Sequence, residues 1–204
     1  MRYTDTHKEE THQKVLKAAS RLLREKGPDR LTVPEVMASA GLTHGGFYAH
    51  FKSKDDLIAE TIDSIFAFSR VRAGKMLDGM PAAHALATFI DFYVSADHRD
   101  HPTRGCPLVM LSSDMPRQSK KVRTAFDAGA QSLKAMLRRY IGELGLAEPD
   151  ALAATVLSAM AGAVALARAV TDKALSDDLL ISARANIKAR LGITDMVLSQ
   201  KAQA

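Results

Sequence analysis

The chain has 204 residues, a formal net charge of +5 at pH 7, 47% hydrophobic residues and a single cysteine. One cysteine excludes an intramolecular disulfide, and the hydrophobic content excludes a disordered chain. The length suits one small and one larger domain, each with its own core. We expect a cytoplasmic protein, since residues 1–14 lack the apolar segment of a signal peptide.

The positive charge is concentrated near the N-terminus. Residues 1–54 contain ten Lys and Arg against six Asp and Glu, whereas residues 55–204 contain 18 against 17. A local excess of positive charge attracts phosphate groups and steers association with nucleic acids. A basic surface without a partner is the alternative, and it is less favoured where the excess coincides with a binding motif.

Hydrophobic periodicity predicts an all-α protein of about nine helices and no strand. The first helix covers about residues 8–26 and ends at Gly27 and Pro28. Its buried stripe is predicted to be Val15, Ala18, Ala19, Leu22 and Leu23. The second helix follows Thr32, whose spacing to Glu35 predicts a capping box, and it ends at Gly41, where a left-handed residue is needed.

A third helix is predicted at about residues 44–51, with Thr43 as its N-cap. Gly45 and Gly46 each weaken a helix by about 1 kcal/mol relative to Ala, but a bare helix surface can approach bases and phosphates closely. Two short helices around a glycine turn are typical of a helix-turn-helix whose second helix lies in the major groove of DNA. An ordinary helical hairpin with a weakened turn is the alternative.

This segment resembles the N-terminal domain of the tetracycline-repressor (TetR-like) family of bacterial regulators. The match runs from about residue 10 to residue 57, and Pro34 and Val36 are mild departures from the commoner family residues. The matching positions are Leu31, Thr32, Val36, Ala40, Gly41, Leu42, Thr43, Gly45, Phe47, Tyr48, His50, Phe51, Lys54 and Leu57. The resemblance implies a three-helix DNA-binding domain followed by a helical domain for ligand binding and dimerisation, with no cofactor and no metal.

The resemblance also implies roles for individual residues on double-stranded DNA. The predicted phosphate contacts are Thr43, Tyr48, His50 and Lys54, whose hydroxyl, imidazole and ammonium groups suit that role. His44 and Gly45, at the start of the third helix, are predicted to face base edges, and Thr32 to touch the DNA backbone. Phe47 and Phe51 are predicted to be domain core. For His50 the alternative is a solvated surface histidine.

The rest of the chain is predicted to be helical as well. Ser53 opens a fourth helix at about residues 54–75, and the following helices are predicted at about 82–96, 107–111, 119–144, 150–170 and 176–191, with a polar loop at 97–104. We therefore predict a helix-turn-helix domain at residues 1–53, a ligand-binding and dimerisation domain at 54–193, and a loose C-terminal tail at 194–204.

The eighth predicted helix contains a long uncharged run at residues 151–167. Ala154, Ser158 and Gly162 recur every four residues, which allows another helix to approach closely. We predict a homodimer in which helices 8 and 9 of two chains form a four-helix bundle. An intrachain core helix is one alternative. A membrane span is the other, and it is disfavoured because the run is rich in alanine and contains Thr155 and Ser158.

The family resemblance implies a cavity for a small-molecule inducer that weakens DNA binding. The candidate pocket residues are Phe66, Phe89, Tyr93, Met110 and Met160, with Arg168 as a possible partner for an anionic group. Ordinary core packing is the alternative for each aromatic or methionine.

Cys106 directly precedes Pro107 and is the predicted N-cap of the sixth helix. A helix N-terminus, with Arg104 and His101 close in sequence, favours a reactive thiolate that could sense electrophiles. An inert, packed thiol is the alternative. The leading hypothesis is a dimeric, ligand- or electrophile-responsive repressor of a palindromic operator, and not an enzyme. The alternatives are a helical enzyme with Cys106 as nucleophile, or a DNA-binding protein without ligand control.

Overall fold

The computed structural model describes residues 2–194, with side chains from residue 7 onward, so residues 195–204 of the predicted tail lie outside the described residues. Within that range the chain is all-α, with nine α-helices, three short 3-10 helices and no strand. The α-helices are α1 (Arg2–Arg30), α2 (Val33–Ser39), α3 (Lys54–Leu77), α4 (Ala82–Tyr93), α5 (Ala96–Asp100), α6 (Pro107–Leu111), α7 (Lys120–Glu143), α8 (Pro149–Ala169) and α9 (Lys173–Arg190). The predicted all-α class is confirmed.

The residues group into two compact units. The first unit comprises Met1–Phe68 and Thr103–Gly129, and the second comprises Ser69–Pro102 and Ala130–Ala204. The helix-turn-helix segment therefore packs with a later part of the chain that includes α6 and the first half of α7. The division describes packing, and the predicted domain boundary between residues 53 and 54 stays a prediction.

In the first unit, α1 packs its apolar stripe inward as predicted. The stripe residues Val15, Ala18, Ala19, Leu22 and Leu23 are all buried. Gly27 interrupts the helical backbone with a φ of 76°, a left-handed conformation that favours glycine, and Pro28 follows it. The predicted break at this position is confirmed.

α2 ends in a glycine turn that reverses the chain direction. Gly41 has a φ of 74°. The N–H of Leu42 donates to the carbonyl of Met37 at 2.9 Å, and that of Gly41 donates to the carbonyl of Ala38 at 3.0 Å. These two bonds form a Schellman motif, which satisfies the last carbonyls of the helix. The turn predicted from Gly41 is confirmed.

The predicted helix at residues 44–51 is instead a 3-10 helix, His44–Ala49. Its hydrogen bonds include Gly46 N–H to the carbonyl of Thr43 and His50 N–H to that of Phe47. Two adjacent glycines raise the entropic cost of an α-helix, and a six-residue segment gains few α-helical bonds in return. The tighter 3-10 turn is the result.

α3 begins at the position that Ser53 predicted. The backbone N–H of Asp56 donates to the hydroxyl oxygen of Ser53 at 3.1 Å, and that hydroxyl donates to the Asp56 carboxylate at 2.9 Å. Asp56 is buried and pairs with Lys121 of α7. Further along, Gly129 of α7 accommodates the Phe66 ring, because a Cβ at residue 129 would lie 2.0 Å from a ring carbon.

The second unit contains a short helix that was predicted to be a polar loop. α4 ends at Tyr93, and α5 then begins after Ser95, whose hydroxyl oxygen accepts the backbone N–H of His98 at 3.1 Å. Serine is a favoured N-cap residue, so Ser95 was the local indication in the sequence that a helix begins here. Arg99 of α5 is buried, and it donates to Asp177 of α9 at 2.6 Å.

α8 and α9 pack against each other in the second unit, and the Ser176 hydroxyl donates to the carbonyl of Ala167. By length and composition alone, α8 could cross a membrane, and it is the one helix among the described residues of which this is true. Only 28% of its most apolar window is buried within the chain. A single copy of the chain therefore leaves most of this window uncovered.

Candidate nucleic-acid interface

The turn around the 3-10 helix His44–Ala49 presents polar groups on an apolar support. Phe47 and Phe51 are each 2% exposed, and their stacked rings lie 5.6 Å apart. Tyr48 lies between them in sequence and is 72% exposed. The predicted core role of the two phenylalanines is confirmed. Their burial fixes the turn and forces the Tyr48 ring outward.

Most of the predicted DNA-contacting residues are exposed in the first unit. These are Thr32, Thr43, His44, Gly45 and Tyr48, and the two others, His50 and Lys54, are half-buried. An ideal Cβ at Gly45 would meet no atom within 4 Å, so the backbone there is open to close approach. The fold therefore keeps the whole predicted set on one compact unit.

The two threonines at the helix starts do not cap their helices with side-chain hydrogen bonds. Both have the extended backbone of an N-cap residue, but the predicted capping box at Thr32 is wrong, since Glu35 pairs instead with Lys26. Both hydroxyls lie on the exposed surface. A hydroxyl that does not cap its own helix remains able to donate to a phosphate oxygen.

A hydrogen bond holds the Lys54 side chain close to the start of the helix-turn-helix. Its ammonium donates to the carbonyl of Asp29 at 3.3 Å, in the last turn of α1. The Asp29 carboxylate in turn accepts the side-chain amide of Gln118 at 2.7 Å and lies 3.6 Å from the Arg117 guanidinium. These contacts hold the first turn of α3 against the start of the helix-turn-helix, so the Lys54 charge is positioned before any DNA arrives.

His50 lies against other groups that carry positive charge. Its ring is 5.9 Å from that of His12, and its Nδ1 is buried without a hydrogen-bond partner among the described residues. Burial lowers the pKa of His50, and the charges of His12 and Lys8 lower it further. The free protein therefore favours neutral His50 at pH 7, and a nearby anion would favour the protonated form.

A DNA phosphate at His50 should raise its pKa, so that binding takes up a proton. Operator affinity should then rise as the pH falls from the pKa of His50 in the complex to its lower pKa in the free protein, and stay level above that range. The measurement is operator affinity against pH for wild type and His50→Gln. The variant should lose part of this rise, whereas His101→Gln, at the residue that follows α5, should keep it. An identical pH profile for His50→Gln would remove His50 from the interface.

Cys106 occupies the N-cap position that the sequence predicted, with extended backbone before α6. Its side chain is half-buried, and it makes no capping hydrogen bond. A cation close to it is Arg24 of α1, which the sequence did not indicate. Burial lowers the pKa of Arg24, and the charge of Cys106 opposes that shift. The Arg24 guanidinium also donates to the carbonyl of Gly105 at 2.9 Å, which ties α1 to the residue before Cys106.

The predicted sensor residues are distributed over both units. Phe66, Cys106 and Met110 belong to the first unit, and Phe89, Tyr93, Met160 and Arg168 belong to the second. The Arg168 guanidinium donates to the carbonyls of His98 and Arg99 at 2.7 and 3.0 Å. Its structural role is thus to hold the end of α5, and the predicted shared pocket stays a prediction. Among the described residues, no cluster of His, Cys, Asp or Glu could hold a metal ion.

Two family models match the chain in succession. Residues 15–61 match bacterial regulatory proteins of the tetR family, and residues 82–177 match the C-terminal domain of LmrA/YxaF-like transcriptional regulators. Together they cover both the helix-turn-helix and most of the helical region that follows it. The chain belongs to the TetR family of transcriptional regulators, a class of DNA-binding proteins and not of enzymes.

Known relatives agree with this assignment. The transcriptional regulator AcrR of Shigella flexneri is 39% identical over 59 residues, which are 29% of this chain and 27% of AcrR. The transcriptional repressor BepR of Brucella suis is 36% identical over 62 residues, 30% of each protein. The chain thus spans about a third of the length of the curated relatives it matches.

The fold is also that of solved TetR-like structures. The reduced form of E. coli NemR superposes with a TM-score of 0.78, covering 88% of this chain and 96% of NemR, at 21% identity. A TetR regulator from Chloroflexus aurantiacus superposes with a TM-score of 0.76, covering 90% and 96%, at 23% identity. At these identities the likeness establishes the fold alone.

Proposed function

We propose that this chain is a homodimeric, cytoplasmic repressor that binds a palindromic DNA operator and releases it on binding a small molecule or on modification of Cys106. The observation that supports DNA binding most directly is the exposed set around the 3-10 helix His44–Ala49. It combines an aromatic hydroxyl, an imidazole and a bare glycine backbone within residues 1–54, which carry ten Lys and Arg against six Asp and Glu. Such groups suit phosphate and base-edge contacts.

The dimer proposal rests on exposed residues of α8 and α9, most of which are apolar. Ser158 and Leu166 of α8 are exposed, and so are Leu175 and Ile181 of α9. Exposing large apolar side chains to water costs free energy. A second copy of the same two helices would cover these side chains and remove that cost. Two reading heads related by two-fold symmetry would require a palindrome with half-sites about 34–36 Å apart.

The repressor assignment draws on the relatives. BepR is described as a repressor, and it is 36% identical to this chain over 62 residues. A DNA-bound repressor needs a release signal, and the aromatic and methionine side chains of the helical region suit an apolar or amphipathic inducer.

The direct test is titration of the purified chain with DNA from upstream of its own gene and its neighbours. We expect saturable binding of two chains to one palindromic site, and much weaker binding to a shuffled duplex of the same length. Equal affinity for both duplexes would overturn the repressor proposal in favour of a DNA-binding protein without sequence control.

Cys106 gives a second prediction. It is the single thiol in the chain, so a maleimide can alkylate no other cysteine. Its thiolate sulfur would add to one alkene carbon while the other takes a proton, and the new group would occupy space between α6 and Arg24. Because Arg24 ties α1 to Gly105, we expect alkylated wild type to bind the operator at least about tenfold more weakly, a loss of about 1.4 kcal/mol.

Cys106→Ser is the matched variant. It should bind the operator like wild type and be insensitive to maleimide, with mass spectrometry confirming that a single adduct forms on wild type. If alkylated wild type keeps full operator affinity, Cys106 is a packing residue and release depends on a non-covalent inducer. NemR, whose structure is described as a reduced form, motivates repeating the test with an oxidant.

A further inference from the structure

Four cationic side chains share one face of α1. Lys14, Lys17, Arg21 and Arg24 follow one another at intervals of three or four residues, which places them along one stripe of the helix. All four line an open cleft of about 510 Å³ in the first unit. In the described part of the chain, the residues lining this cleft include no Asp or Glu.

The stripe is poorly neutralised. Arg21 pairs with Glu25 at 3.2 Å, but the described residues place no carboxylate within ion-pair distance of Lys14 or Lys17. Arg24 is half-buried, and its hydrogen bonds go to uncharged oxygens. Like charges three or four residues apart destabilise a helix, so the free protein carries a repulsion that a bound anion would relieve.

Hydroxyl groups complete the cleft. Ser20 of α1, Ser39 of α2 and Thr103, which follows α5, line the same space as the cations. Arg21 donates to the Ser39 hydroxyl at 3.0 Å, which brings α2 to the edge of the stripe. Hydroxyl, guanidinium and ammonium donors from three chain segments suit a ligand with several acceptor oxygens.

We infer that this cleft binds a compact polyanion bearing phosphate groups, in the class of phosphorylated small molecules. A phosphate monoester carries about −1.5 to −2 charges at pH 7 and three strong acceptor oxygens, which matches the donors present. The cleft is concave and falls within the range of about 300–1,000 Å³ usual for small-molecule sites.

None of the lining residues belongs to the predicted DNA-contacting set, so binding can be tested on the protein without DNA. A bound anion would connect α1, α2 and Thr103. Arg24 would extend that connection through its bond to the carbonyl of Gly105, next to Cys106. Occupancy should therefore stiffen the first unit and raise its melting temperature.

The experiment is isothermal titration calorimetry of the full chain with inorganic pyrophosphate at constant ionic strength, with sodium sulfate as a second titrant. Lys14→Ala combined with Lys17→Ala removes two exposed charges without touching the core. Lys120→Ala, an exposed lysine outside the cleft, is the matched control. We expect one saturable site per chain, weakened about tenfold in the double variant and less than about twofold in the control.

Three results would overturn the inference. The first is no saturable pyrophosphate binding, and the second is equal binding of sulfate, which would indicate ionic screening only. The third is a double variant that binds pyrophosphate like wild type but loses affinity for a non-operator duplex, which would assign the stripe to DNA. A rise in melting temperature with pyrophosphate in wild type, absent in the double variant, would support it independently.

Discussion

Gly162→Leu is expected to separate the dimer and to weaken operator binding about 100-fold, since two linked reading heads bind far more tightly than one. Gly162 is half-buried on α8, and an ideal Cβ there would meet no atom within 4 Å. The single chain therefore has room for a Cβ at this position. It would project from the stripe that includes Ser158, where we expect a second α8 to approach closely.

The measurements are sedimentation velocity, circular dichroism and operator titration. Gly142→Leu, on α7, is the matched control, because it also replaces a helical glycine that has open space around its Cβ position. The control should stay dimeric, and both variants should keep wild-type helicity. A Gly162→Leu protein that is monomeric yet binds the palindrome as tightly as wild type would rule out the proposed assembly.

Lys54→Ala should weaken binding to all DNA sequences alike and reduce its salt dependence. Each phosphate contact contributes about 0.9 to the slope of log affinity against log salt concentration, so a dimer that loses both Lys54 side chains should lose about 1.8. Specificity between operator and shuffled duplex should change little, because a phosphate contact does not read sequence.

Lys75 provides the comparison for Lys54. It lies in the last turn of the same helix, is exposed, and is not predicted to touch DNA. Lys75→Ala should keep the wild-type slope. If Lys54→Ala also keeps the wild-type slope, Lys54 is no phosphate contact, and its bond to the Asp29 carbonyl is its main role.

His44→Ala should differ from the two lysine variants, because it should relax the base preference at one position in each half-site.

Sequence reasoning worked where a local rule fixes the backbone. Gly27, Gly41 and Ser53 each marked a break, turn or helix start that the structure has at the same residue. It failed at residues 44–51, where the helical pattern was correct in position but the glycines and short length produced a 3-10 helix. It also missed α5, for which the Ser95 cap was the local signal, although it predicted α6, which has the same length of five residues and begins with Pro107.

In the candidate site as well, the sequence indicated residues that are close together along the chain and missed those that only the fold brings together. Family motif and spacing indicated Thr43, His44 and Tyr48 because those residues are close in sequence and on one exposed turn. They did not indicate Arg24, whose interaction with Cys106 joins residues 82 positions apart. Long-range pairs of this kind leave no periodic signal in one sequence.

The sequence by itself determined the all-α class, the family of the helix-turn-helix and the positions of its turns, because helix caps and apolar stripes act over a few residues. The tertiary structure decided which surfaces remain uncovered. It left the small-residue face of α8 open, placed Arg24 of α1 against the loop before Cys106, and gathered the cations of α1 around one cleft. Exposure and long-range proximity depend on how the helices pack, and packing is a property of the whole fold.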